Sequence, residues 1–273
     1  MAAARQGCSG RHADHVAAGG AEGYRRLSEV LRMIIHCFTS MRNESYMAPF
    51  FLRHYEEFCD KIFVWDDEST DGTLELLKAH PLVEILPLEI HGIDDAYNQK
   101  IRSETYRRLS RGIADWVMIV DCDEFFYSPH LLENLEFQMR LPNSSIMAEG
   151  WQMISEDYPA VATTENLYDK IKEGVQDHMY DRLIFDPDLD VTVGIGHHSY
   201  SLNGYPTRIS GIKLLHFKYM GLEYMSKRNA KAYKRLVKNN LDHGWGIHSS
   251  PGWNGVYSEA WYREALKNKV KCI

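Results

Sequence analysis

Trp116-Val117-Met118-Ile119-Val120-Asp121-Cys122-Asp123-Glu124-Phe125-Phe126 is the stretch on which the fold turns. Its apolar first half reads as the strongest strand of the chain, and it delivers three carboxylates into one small space. Upstream, residues 33–39 form a short apolar run that predicts a first strand. A helical pattern follows over 46–58, where Phe50, Phe51, His54, Tyr55 and Phe58 recur at three- and four-residue spacing. Residues 61–65 read as a second strand, 73–79 as helix, 83–87 as a third strand and 96–112 as helix. Strands alternating with helices imply an α/β fold with a doubly wound, mostly parallel sheet. In such sheets ligands sit beyond the carboxyl ends of the strands. Two acidic clusters, 66–72 and 121–124, fall at those ends.

The second half differs. Residues 146–155, 183–185, 191–195 and 213–219 read as strands separated by irregular loops. Pro187, Gly194, Gly196, Gly204, Pro206 and Gly211 punctuate them. A basic helix over about 222–241 and an aromatic tail close the chain. Lys227, Arg228, Lys231, Lys234, Arg235 and Lys238 make that helix densely positive, and a solvated face is its plainer reading beside a phosphate or anionic-lipid contact.

The 273 residues are 44% hydrophobic and 25% charged, enough to bury one sizeable core. A net charge of −7 excludes nucleic acid held by bulk electrostatics. The five cysteines are scattered with no C-x-x-C pair, which excludes a zinc framework and suggests reduced thiols in a cytoplasmic protein. No run approaches the roughly 20 apolar residues that cross a bilayer, so any membrane contact is expected to be peripheral, at its inner face. Residues 1–29 read as a disordered or tag-like leader rather than a signal peptide.

Three carboxylates left bare at a strand tip repel one another and shift their pKa values. A hard divalent cation, Mg²⁺ or Mn²⁺, relieves that and can bridge a diphosphate leaving group. The other cluster, Asp66-Asp67-Glu68-Ser69-Thr70-Asp71-Gly72-Thr73, offers acids to a base N–H or ribose hydroxyl on a tight, capped turn. A plain capped loop is the alternative. A calcium loop is excluded, because its twelfth position is Lys78 where a bidentate Glu is needed.

The pairing of D-D-x-S-T-D-G-T with a strand ending in D-x-D-E-F resembles the GT-A glycosyltransferases of the family 2-like group, which also carry a later L-L-H-F/Y-K segment. The likeness spans about 33–248 and includes Met41-Arg42-Asn43-Glu44, Arg182 to Pro187, Gly196-His197-His198 and Leu214-Leu215-His216-Phe217-Lys218. It implies a nucleotide-sugar-binding half over 30–145 and an acceptor-binding half over 146–273. It implies that Asp66 or Asp67 binds the base or ribose, with Arg42 and Glu44 beside the nucleotide. Asp121 would approach ribose or metal, and Asp123 would ligate the metal. A third ligand is expected from His216 first and His197 second, with His198 behind them. Lys218 and Arg228 could offset diphosphate charge, and His243 and His248 could fold over it. For an inverting reaction the base is expected from Glu156 or Asp157, with Glu149 behind them. Trp151, Tyr158, Trp245, Trp253 and Trp261 are candidates to stack on sugar rings. The donor expected is a UDP-sugar and the acceptor a glycan or glycoconjugate. A sugar nucleotidyltransferase is the rival enzyme, but the segment Ser40 to Glu44 lacks the glycines that hold a triphosphate. A non-catalytic carbohydrate-binding scaffold is the rival from another class.

Overall fold

β1 (Ile35–Met41) is buried along nearly its whole length. On one side it pairs in parallel with β2 (Lys61–Asp66), which pairs with β3 (Val83–Leu86); on the other it pairs with β4 (Trp116–Ile119). The computed structural model describes residues 33–141, 144–161 and 164–273, so the expected leader lies outside the described residues.

Successive strand residues point to opposite faces. Ile35, Cys37, Ile62, Val64, Trp116 and Met118 pack on one face with α1 (Ala48–Tyr55) and α2 (Thr73–Ala79). Phe38, Phe63, Trp65, Val117 and Ile119 pack on the other with Tyr106 of α3 (Asp95–Ser110). Helices therefore cover both faces, and the sheet is doubly wound as expected.

Beyond β4 the chain adds β5 (Glu124–Tyr127), α4 (Leu131–Gln138), β6 (Ser145–Ser155), α5 (Leu167–Lys170), β7 (Glu173–Gln176) and β8 (Arg182–Phe185). Then come β9 (Thr192–Val193), β10 (Tyr200–Ser201), β11 (Lys213–Met220), α6 (Leu222–Tyr233), α7 (Lys238–His243), α8 (Pro251–Asn268) and β12 (Val270–Lys271). β8 joins β4 antiparallel, and the first part of β6 joins β8. The long β6 then forks: its second part is flanked by antiparallel β7 and parallel β11, and β11 carries β5. The sheet is thus parallel through its first four strands and mixed beyond them.

Four expectations change. The strand expected over 191–195 shrinks to β9, because a 3-10 turn begins at Ile195. The aromatic tail is the helix α8. β5 and α4, unforeseen, follow directly on the acidic turn. The basic helix breaks after α6, because its backbone turns aside to the β3–α3 loop. There Ile93 N–H donates to the Arg235 carbonyl (2.8 Å) and Val237 N–H donates to that of Ile93 (3.2 Å).

Cys37, Cys59, Cys122 and Cys272 are free and buried. Among the described residues no helix is long and apolar enough to cross a membrane.

Candidate active site

The carboxyl ends of β1, β2 and β4 meet beside the start of α6. The segment after β1 is fastened to the acidic loop after β2. Asn43 N–H donates to Ser69 Oγ (3.0 Å), Glu44 N–H to Thr73 Oγ1 (2.8 Å) and Ser45 N–H to Asp71 (3.1 Å). Asn43 and Glu68 both hold positive φ, 51° and 56°. For Glu68 this is the physical reason a small residue suits the position.

Of the acidic trio, Asp121 and Glu124 stay side by side, with Asp121 N–H donating to Glu124 Oε2 (3.0 Å), while Asp123 turns away. A turn closes between β4 and β5, with Glu124 N–H donating to the Asp121 carbonyl (3.0 Å), and it sends the two aspartates to different partners. Asp121 meets Arg102 of α3 at 2.5 Å. Glu124, fully buried, is gripped by Arg182 at 2.5 and 3.0 Å. Asp123 turns to Arg228 of α6 (3.2 Å) and to His216 Nε2 of β11 (3.4 Å). Arg228 also holds Glu44 at 3.1 Å.

These acids are therefore not bare: side-chain cations of the chain itself already offset their repulsion. Burial pushes the Asp123 carboxyl up, but the Arg228 guanidinium beside it outweighs burial and holds it well below the usual range. Burial likewise opposes, and Arg102 first, with Arg182 behind it, overcomes burial at Asp121. Glu44 and Glu124 shift the other way, raised because burial outweighs Arg228 and Arg182 respectively. The side chain of Lys218 adds a fourth positive charge near Asp123, its ammonium pushed down by burial. Five carboxylates (Glu44, Asp95, Asp121, Asp123, Glu124) therefore share the cleft with four cations (Arg102, Arg182, Arg228, Lys218). A divalent ion there would turn the cleft's balance positive, in favour of a diphosphate.

Two donor sets could hold such an ion. Asp123 and His216 offer a carboxylate oxygen and an imidazole nitrogen facing one another. Asp121, Glu124 and His197 bring their ligand atoms within 4.8 Å of one another. Each set already meets an arginine: Arg228 at the Asp123 oxygen that faces His216, and Arg182 at Glu124. His197 nonetheless has the marks of a functional position. It is 2% exposed, holds φ 63°, and its Nδ1 is buried without a partner while Nε2 meets the Tyr200 hydroxyl at 3.0 Å. Burial, then Arg182 and Arg102, keep the ring neutral. Oxygen and imidazole donors suit Mn²⁺ or Mg²⁺.

Asp67 and Asp66 lie at the neighbouring tip. Asp67 accepts from Gly92 N–H (3.0 Å), meets His91 Nδ1 (3.0 Å), and pairs with Arg42 (3.7 Å) and Arg235. Asp66 accepts from Ser69 N–H (3.1 Å) and keeps its Oδ1 buried without a partner. Arg42 N–H also donates to the Asp67 carbonyl (2.5 Å).

Arg42, Glu44, Asp66, Asp67, Asp121 and Asp123 thus gather just past the ends of β1, β2 and β4, and His197, from a 3-10 turn, and His216, from the middle of β11, face Asp121 and Asp123. Glu156 and Asp157 do not join them. Both are exposed just past β6, four and five residues beyond the Gln152 that pairs with His216 in register. Four residues of strand span about 13 Å. Gly221 lets that turn approach, since a Cβ there would come within 2.7 Å of the Glu156 carbonyl. His198 is exposed, and His243 stacks on Trp245 at 4.5 Å on the surface of the clasp formed by α7. Tyr158 lies against Tyr46 and Tyr224, Trp151 under Lys213, and Trp261 on Tyr219. The side chains of His248 and Trp253 lie outside the described residues. The basic face is split: Lys227 and Lys238 pair with Glu223 and Asp242 at the surface, while Arg228 and Arg235 turn inward.

Sequence reasoning missed Arg102, His91 and Gln152 and gave Arg182 no role. Arg102 carried one signal: it falls four residues before buried Tyr106 on the same helix face.

No family model and no curated protein matches the chain. Among solved structures it is similar to S. aureus TarS. The form spanning 1–349, in complex with UDP-GlcNAc, is 12% identical at TM-score 0.46, covering 81% of this chain and 71% of that one. A further structure of TarS is 14% identical at TM-score 0.43, covering 77% of this chain and 41% of that one. At these values the likeness bears on no residue's role.

Proposed function

We propose that this chain is a glycosyltransferase that moves a sugar from a nucleotide-diphosphate donor, UDP-linked, to a hydroxyl of a glycan or glycoconjugate with inversion. One observation carries the reading. Asp123, His216, Arg228 and Glu44 converge at the carboxyl end of β4, where a doubly wound sheet binds its ligand.

In this reading Asp66, with its unpartnered buried oxygen, receives the base, while Asp67 and Arg42 line the ribose side. Asp123 and His216 would hold Mn²⁺ or Mg²⁺, with Asp121 and His197 beside them. When bound, such an ion withdraws charge from the departing diphosphate. Arg228 and Lys218 take up the remaining negative charge, and Arg182 keeps Glu124 from competing with the diphosphate for these cations. Glu156 or Asp157, on the rim past β6, takes the proton of the acceptor hydroxyl. Residues 30–145 serve the donor and 146–273 the acceptor.

Calorimetric titration with UDP, with and without Mn²⁺, and donor hydrolysis across UDP-, GDP- and dTDP-sugars test the proposal. Asp123→Ala is expected to lose metal-dependent UDP binding and about 1,000-fold in turnover while keeping its far-UV spectrum. Full activity in that variant, or activity indifferent to chelation, overturns the metal-assisted reading. UDP binding without turnover of any sugar nucleotide would favour the non-catalytic scaffold.

A further inference from the structure

His216 is held on three sides. Its Nδ1 lies 2.8 Å from Gln152 Oε1, its Nε2 faces Asp123 Oδ2 at 3.4 Å, and the Tyr180 ring stacks on it at 4.4 Å. Gln152 is itself held: its Nε2 donates to Asp177 Oδ2 at 3.1 Å. Asp177 is fixed in turn, because its Oδ1 accepts from Met179 N–H (3.1 Å) and its own N–H donates to the Gly150 carbonyl (2.8 Å). A side chain at position 150 would abolish this approach, since a Cβ there would stand 2.5 Å from the Asp177 carbonyl.

The chemistry of these groups leaves one consistent arrangement. A carboxylate only accepts, so the Gln152 amide must turn its NH₂ toward Asp177. Its oxygen then faces His216, and only a ring with hydrogen on Nδ1 can donate to it. In a neutral ring Nε2 then carries a lone pair directed at Asp123. A lone pair and a carboxylate oxygen, both buried, then form a pair of donor atoms that can share a metal ion; in its absence Arg228, 3.2 Å from the same Asp123 oxygen, supplies the positive charge.

We infer that Asp177 and Gln152 are positioning residues that lock His216 in its Nδ1–H tautomer and so present Nε2 toward Asp123. The consequence for metal affinity rests on the role proposed above for Asp123 and His216; the tautomer does not.

The test uses metal-free protein with isotope-labelled histidine at about pH 8.5, where an imidazole is ordinarily neutral. The His216 ring is assigned by its loss in His216→Gln, and its tautomer is read from proton–nitrogen correlations. The wild type is expected to show a pyrrole-type Nδ1 and a pyridine-type Nε2. Asp177→Asn can offer its own NH₂, so Gln152 can turn around and the ring should move toward the Nε2–H form. Adding Gln152→Glu to Asp177→Asn restores an acceptor-only oxygen toward the ring and should restore the wild-type spectrum. A wild-type ring protonated on Nε2, alone or on both nitrogens, overturns the inference. So does an Asp177→Asn ring identical to wild type. Paramagnetic titration with Mn²⁺ should show about 10- to 100-fold weaker binding in Asp177→Asn, recovered in the double variant. Wild-type protein with the expected tautomer but no Mn²⁺ binding would sink the metal role of Asp123 and His216 and leave the lock standing. Mn²⁺ binding through both residues with the other tautomer would do the reverse.

Discussion

His54, on α1, illustrates what a single residue contributes. It is 4% exposed; its Nε2–H donates to the Phe126 carbonyl (2.9 Å) and its Nδ1 faces the Tyr168 hydroxyl (3.2 Å). Burial pushes its imidazole down to about 3, against the pull of the Phe126 bond. The unfolded chain protonates the same ring near its ordinary value of about 6.5. Between those values the unfolded state holds a proton that the folded state refuses, so stability falls as pH falls across that window. The loss is on the order of 4 kcal/mol. Urea midpoints at about pH 7 and pH 4 should separate strongly in the wild type and less in His54→Gln. An unchanged separation in the variant would remove His54 as the cause. The spacing of Phe50, Phe51, His54 and Tyr55 placed His54 on the packed face from sequence alone. The Glu124–Arg182 pair could not be read that way, because neither residue belongs to an apolar period.

At the scale of elements, the clasp made by α7 is the piece whose role sequence left open. Asn240, fully buried, accepts from Asp95 N–H (2.8 Å) and donates back to its carboxylate (3.1 Å), satisfying a free amide at the start of α3. Asn239 donates to Asp94 beside it (3.0 Å). The clasp also brings Arg235 onto Asp67. Asn240→Ala should cost about 1 kcal/mol. It should raise amide exchange over 235–243 while leaving β1 and β4 protected. Uniform loss of protection instead would mean the clasp is part of the global core. The helix pattern over 222–241 hid this device, since the break at 234–237 is made by backbone bonds to residue 93. No local propensity announces such a bond.

At the scale of the whole molecule, charge balance links site to stability. With acids and cations close to balance in the cleft, metal or diphosphate alone shifts its charge by two, and the two together do not. UDP plus Mn²⁺ should therefore raise Tm more than the sum of each alone. At a hundredfold excess over Kd the gain is about 2.7 kcal/mol, or about 5 °C or more. A purely additive shift, read by scanning calorimetry, would argue against a shared site. The alternation of strands and helices and the acids at the tips of β2 and β4 were determined by sequence itself. Apolar period and the abrupt end of a buried run are properties of neighbouring residues. Which cation answers which acid was decided only in three dimensions. Arg182 reaches Glu124 across 58 residues, and Arg228 reaches Glu44 across 184. The turn that parts Asp121 from Asp123, and the amide that orients His216, depend on strands brought together by the fold. Side-chain pairing at such separations follows from packing, which no local pattern encodes.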